Sequence, residues 1–148
     1  MSGNTVRLHR VFKAPVERVY RAFVNADALA KWLPPHGFTC HVDHLDAQAG
    51  GTYRMSFENF STGQSHGFGG EYQQVLANER IRYTDRFDDP NLPGEIIATI
   101  TFKSVSCGTE VHIVQEGLPE VIPLEGCYLG WQDSLNQLAA LVEPEIPG

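Results

Sequence analysis

The spacing of apolar positions changes period along this chain. Residues 5–13 alternate, with Val6, Leu8 and Phe12 on one face, which predicts a strand. Pro15 then opens a helix, because its missing N–H costs nothing at the first position. Val16, Val19, Tyr20 and Phe23 recur at helical spacing, while Glu17, Arg18 and Arg21 fall outside the stripe. Asn25 and Asp27 are candidate caps for a second short helix carrying Leu29, Trp32 and Leu33, and Pro34-Pro35 ends it.

Six strand patterns follow, over residues 37–46, 52–59, 65–76, 79–88, 95–105 and 109–117. Gly50-Gly51, Thr62-Gly63, Ala77-Asn78 and Cys107-Gly108 mark turns between them. Gly67, Gly69 and Gly70 predict a bulge or strong curvature within the third of these strands. Residues 89–94 form the longest polar break and predict a loop. The last element is a helix between Pro123 and Pro144, with Leu124, Tyr128, Trp131, Leu135, Leu138 and Val142 as its stripe. About 20 residues of helix span roughly 30 Å, enough to cross a small domain. Gly126 and Gly130 lie inside it, each at a cost of about 1 kcal/mol relative to alanine. Close approach of a strand, space for a ligand or early fraying would each account for them. The order predicts an α+β fold in which a curved antiparallel sheet grips a long C-terminal helix.

A length of 148 residues fits one domain, 1–148, able to bury a core or enclose a cavity. Eleven basic and 18 acidic residues give a net charge of −7, with no Lys/Arg cluster, so a nucleic-acid partner is not expected. No apolar run is long enough to cross a bilayer, and residues 1–5 carry no apolar signal, so neither membrane insertion nor secretion is expected. Three cysteines, Cys40, Cys107 and Cys127, read as reduced thiols of a cytoplasmic protein.

The stretch Arg10-Val-Phe-Lys-Ala14-Pro15-Val-Glu-Arg-Val-Tyr20-Arg-Ala-Phe23, with Leu29-Ala-Lys-Trp32, resembles the opening of the Aha-like branch of the START-like (SRPBCC) superfamily. Asp46 with Gly50-Gly51, Gly70-Glu71-Tyr72, Glu79-Arg80-Ile81 and Gly130-Trp131 with Leu135 and Leu138 resemble the later motifs of that branch, in the same order. Many relatives have tandem tryptophans where this chain has Trp32-Leu33. The resemblance implies a helix-grip fold, in β-α-α-β6-α order, with a cavity between sheet and helix. It implies no single function, since relatives include co-chaperones, polyketide cyclases, lipid carriers and antibiotic-sequestering proteins.

Strand alternation places Tyr53, Met55 and Phe57 on one face, His66, Phe68 and Tyr72 on another, and Ile81, Tyr83, Asp85 and Phe87 on a third. These faces would point toward the C-terminal helix, with Trp32, Phe38 and Trp131 closing the ends, so the expected partner is a hydrophobic or aromatic small molecule. The same residues would equally serve as plain core. His66, Asp85 and Gln115 are the polar groups in register with apolar neighbours. Asp85 facing apolar walls would have a raised pKa and could act as a general acid or base. Otherwise it would pair with Arg10 or Arg86, or be exposed by a slip of register.

His36, Cys40 and His44 share a parity, but residues four apart on a strand are about 13 Å apart, too far for one ion. There is no nucleophile elbow, no glycine-rich phosphate loop after a strand and no dinucleotide fingerprint, so no metal or cofactor is expected. Three functions remain in order: a small-molecule binder, a cyclase or hydrolase using the same cavity, and a co-chaperone-like interaction module. A homodimer is compatible with the sequence, although no surface feature demands one.

Overall fold

A computed structural model describes residues 4–148. The elements run β1 (Asn4–Phe12), α1 (Val16–Val24), α2 (Ala26–Trp32), β2 (Phe38–Leu45), β3 (Thr52–Asn59), β4 (Ser65–Leu76), β5 (Arg80–Phe87), β6 (Ile96–Val105), β7 (Gly108–Leu118) and α3 (Leu124–Val142). The strands form one antiparallel sheet in the order β1-β7-β6-β5-β4-β3-β2. Successive strands β2 to β7 are therefore neighbours, and β1 joins the far edge beside β7. With α3 packed against the curved sheet, this is the α+β helix-grip arrangement.

Local chemistry sets the helix ends. Both Pro15 and Pro123 sit one residue before their helices, in extended backbone at the N-cap position. Their rigid φ suits this position, and the Pro15 carbonyl accepts from Arg18 and Val19 at 3.1 and 3.2 Å. Of the two candidate caps for α2, Asn25 is the one used, its Oδ1 accepting from Ala28 N at 2.9 Å.

The bulge expected within β4 is present, but it does not fall at the glycines. Gly69 and Gly70 are regularly paired with β3, opposite Arg54 and Tyr53. A side chain at Gly69 would lie 2.6 Å from the Tyr53 carbonyl oxygen, and one at Gly70 would overlap the Thr84 carbonyl. They permit close approach of backbone, while the irregularity in β4 falls further on, between Tyr72 and Gln74.

The long helix divides in two. In its second half Leu135, Leu138, Ala139 and Val142 are buried in the main core with Phe12, Val19, Phe23 and Trp32. In its first half Leu124, Tyr128 and Trp131 are only partly buried, packed beside Val6, Ile96 and Leu118. Polar contacts fasten the second half. Gln137 Nε2 donates to the Trp32 and Pro34 carbonyls, each at 2.7 Å, and Ser134 Oγ donates to the Leu33 carbonyl at 2.6 Å. These are the carbonyls that the end of α2 leaves without helical partners.

On the free edge of the sheet, α3 also covers β1. Tyr128 Oη accepts from the Arg7 amide at 3.1 Å and Glu143 Oε2 from the Lys13 amide at 3.0 Å, while Arg10 Nη1 donates to Asn136 Oδ1 at 2.7 Å. No helix of the described residues is long and apolar enough to cross a membrane.

Candidate functional site

Between the sheet and the first half of α3 lies a cavity of about 370 Å³. The pleat of three neighbouring strands builds most of its wall. Tyr53, Met55 and Phe57 come from β3, His66, Phe68 and Tyr72 from β4, and Ile81, Tyr83, Asp85 and Phe87 from β5. Phe38 of β2 and Trp131 of α3 add to it. His66 and Gly126 are exposed although they line the cavity, which puts its mouth between the start of β4 and the first turn of α3.

Trp32 departs from expectation. It is fully buried in the core, its ring 4.8 Å from Phe23 and its Nε1 donating to the Ala22 carbonyl at 2.8 Å, and it does not line the cavity. An indole N–H inside a core must find an acceptor, and the last turn of α1 supplies one. The wall at that end comes from its neighbours Phe23, Leu29 and Leu33 instead. Phe23 and Leu29 belong to helical stripes that spacing does reveal. Ile122 and Leu118 also line the cavity and carried no such signal, because Ile122 lies between elements and Leu118 ends a strand.

Gly126 and Gly130 both line the cavity, and a side chain built on either would meet nothing within 4 Å. Space accounts for them, and close approach of a strand does not.

The polar groups cluster on the sheet side. Tyr53 Oη lies 2.8 Å from Asp85 Oδ1 and 2.9 Å from the Thr84 carbonyl oxygen. Asp85 pairs with neither Arg10, which reaches Asn136, nor Arg86, whose partner is Glu95 at 3.6 Å. Burial pushes the Asp85 carboxyl up to about 7, against the opposing hydrogen bonds from Tyr53 and the Arg86 backbone. The Tyr53 phenol is held above its ordinary range, first by burial and then by the nearby Asp85 charge. Tyr83 is raised by the same two causes in the same order, and Tyr72 chiefly by burial. The three tyrosine rings pack on one another at centroid distances of 5.6, 5.6 and 5.9 Å. Across the cavity, Gln115 Oε1 accepts from Trp131 Nε1 at 2.8 Å, fixing the indole.

His36, Cys40 and His44 do not converge. His36 faces Asp133 at 3.5 Å, and His44 Nε2 lies 3.0 Å from Thr52 Oγ1. Cys40 is half-buried, its thiol pushed up to about 11 by burial. Cys127 lines the cavity, its thiol also raised by burial, so neither is primed as a thiolate.

A curved antiparallel sheet closed over a helix, with an apolar cavity between them and a few inward polar groups, defines a helix-grip domain of the START-like class. The chain belongs to the family described as Activator of Hsp90 ATPase homolog 1-like protein, whose model matches residues 13–143. It is similar to a crystal structure of a protein from Chromobacterium violaceum at 63% identity and a TM-score of 0.95, covering 96% of this chain and 99% of that one. A Rhodobacter sphaeroides protein shares the fold at 19% identity and a TM-score of 0.82, covering 94% and 93% of the two chains. An Arthrobacter aurescens protein shares it at 17% and 0.83, covering 95% and 90%. No curated protein matches the chain significantly.

Proposed function

We propose that this chain binds a hydrophobic small molecule in the cavity between its sheet and α3. The observation that carries this reading is the pair of glycines in α3. A buried or half-buried helix that forgoes two side chains at about 1 kcal/mol each keeps room that a packed core would fill. The size of the cavity and its apolar wall with few polar groups fit the usual form of small-molecule sites.

The test uses N-phenyl-1-naphthylamine, a neutral dye that fluoresces in apolar surroundings. Saturable binding at one dye per chain is expected, with quenching of Trp131, and Gly130→Leu should abolish it while leaving the fold intact. Dye binding unchanged by Gly130→Leu, or no binding by the folded protein, would overturn the reading.

A second reading is supported by Asp85, a carboxyl poised near neutrality against a tyrosine hydroxyl inside a cavity. Such a group can hold or deliver a proton to a bound molecule, as a cyclase or hydrolase would require. Turnover of a hydrophobic ester or polyketide-like substrate that disappears in Asp85→Asn would favour this reading. Turnover that survives the substitution would remove it.

A further inference from the structure

We propose that the occupant of the cavity is a hydrophobic organic cation, an amine whose apolar body lies among the aromatic rings and whose ammonium group meets the carboxylate of Asp85. This rests on the reading of the cavity as a binding site and specifies the chemistry of its ligand.

The first support is the charge balance of the wall. No Lys or Arg lines the cavity among the described residues, and the one lining group that can carry positive charge, His66, is exposed at the mouth. An anionic head group drawn inside would be desolvated with nothing to receive it. Asp85 is the reverse case, a carboxyl in the cavity wall whose flanking arginines are engaged elsewhere: Arg86 with Glu95, and Arg82 with Gln73. A buried carboxylate with no cation of its own gains most from a cation that arrives with the ligand.

The second support is the arrangement of the rings. Tyr53, Tyr72 and Tyr83 pack mutually beside Asp85, and Phe68 stands 6.5 Å from Phe87 on the same wall. Aromatic faces attract desolvated ammonium groups, and a carboxylate set among several rings is the general form of a cation cage. The chain's net charge of −7 draws cations toward the surface in the same sense.

The titratable groups facing Asp85 and its cavity are Tyr53 of β3, Tyr72 and His66 of β4, Tyr83 of β5 and Cys127 of α3. The lining residues of α1, α2, β2, β6 and β7 carry no titratable side chain.

The experiment compares three probes with one phenylbutyl tail: 4-phenylbutylamine, 4-phenylbutan-1-ol and 4-phenylbutyrate, titrated calorimetrically. At pH 8 the amine should bind at least tenfold more tightly than the alcohol, and the butyrate more weakly than either. From pH 8 to pH 6 the ionised fraction of a carboxyl at about 7 falls from about nine-tenths to about one-tenth. Amine affinity should then drop about tenfold while alcohol affinity holds. In Asp85→Asn both the preference and its pH dependence should vanish, and a dependence that persisted would overturn the assignment. Equal binding of amine and alcohol, or tighter butyrate binding, would overturn the cation proposal while leaving the cavity as a binding site. Failure of all three probes would overturn both.

Discussion

The hydroxyl of Tyr53 stands within hydrogen-bond distance of two acceptors, Asp85 Oδ1 at 2.8 Å and the Thr84 carbonyl at 2.9 Å, and it has one proton. Donation to Asp85 favours the charged carboxylate, the Thr84 carbonyl competes for the same proton, and burial outweighs the bond that remains. The carboxyl is therefore raised to about 7.

Stability should follow from this with a sign opposite to that of most carboxylates. Asp85 binds its proton more tightly folded, at about 7, than unfolded, at 3.8. Its favourable contribution is complete below pH 4 and is lost as pH rises through 7. A difference of about 3 pH units corresponds to about 4 kcal/mol. Between pH 4 and pH 8 the wild type should therefore lose about that much relative to Asp85→Asn, whose amide does not titrate. Urea denaturation of both proteins across this range checks it, and parallel curves would contradict it.

Removing the hydroxyl in Tyr53→Phe should cost about 1–2 kcal/mol, the net worth of the two bonds. It should also push the Asp85 carboxyl further up, because the Tyr53 bond favours the charged form. Carboxyl carbon-13 chemical shifts followed against pH report that titration directly.

Gly130→Ala should raise stability by about 1 kcal/mol, since its methyl meets nothing and the helix gains a better former. The same substitution should weaken N-phenyl-1-naphthylamine binding. Thermal unfolding and dye titration would thus move in opposite directions, an outcome that a merely frayed first turn would not give.

At the other end of α3, Gln137→Ala should cost about 1–3 kcal/mol by leaving the Trp32 and Pro34 carbonyls without their donor. Dye affinity should be unaffected, because Gln137 does not line the cavity. Chemical denaturation alongside dye titration separates the two effects.

The strand faces were legible because alternation is local: Tyr53, Met55 and Phe57 point inward together, as do Tyr83, Asp85 and Phe87. Trp32 was misplaced because period alone puts it on an apolar face without saying that the Ala22 carbonyl claims its N–H and holds it in the core. The six-residue stripe on α3 suggested one uniform contact. Its division into a buried half and a half over the cavity depends on what faces each turn, which spacing does not encode. Likewise, the rise in the Asp85 carboxyl comes from the surrounding walls and is opposed by the bond from Tyr53, thirty-two positions away, a balance that alternation does not encode.

The covering of β1 bears on how the chain is made. Among the described residues that strand pairs only with β7, with Asn4 facing Leu118, while Tyr128 takes its Arg7 amide and Glu143 the Lys13 amide just beyond its end. A chain leaving the ribosome holds β1 without any partner until nearly all the rest has been synthesised. Closure of the sheet is therefore a late, long-range event that local hairpins among β2 to β7 can precede. During translation the nascent β1 carries Val6, Leu8 and Phe12 on one face with no strand to cover them until β7 is made.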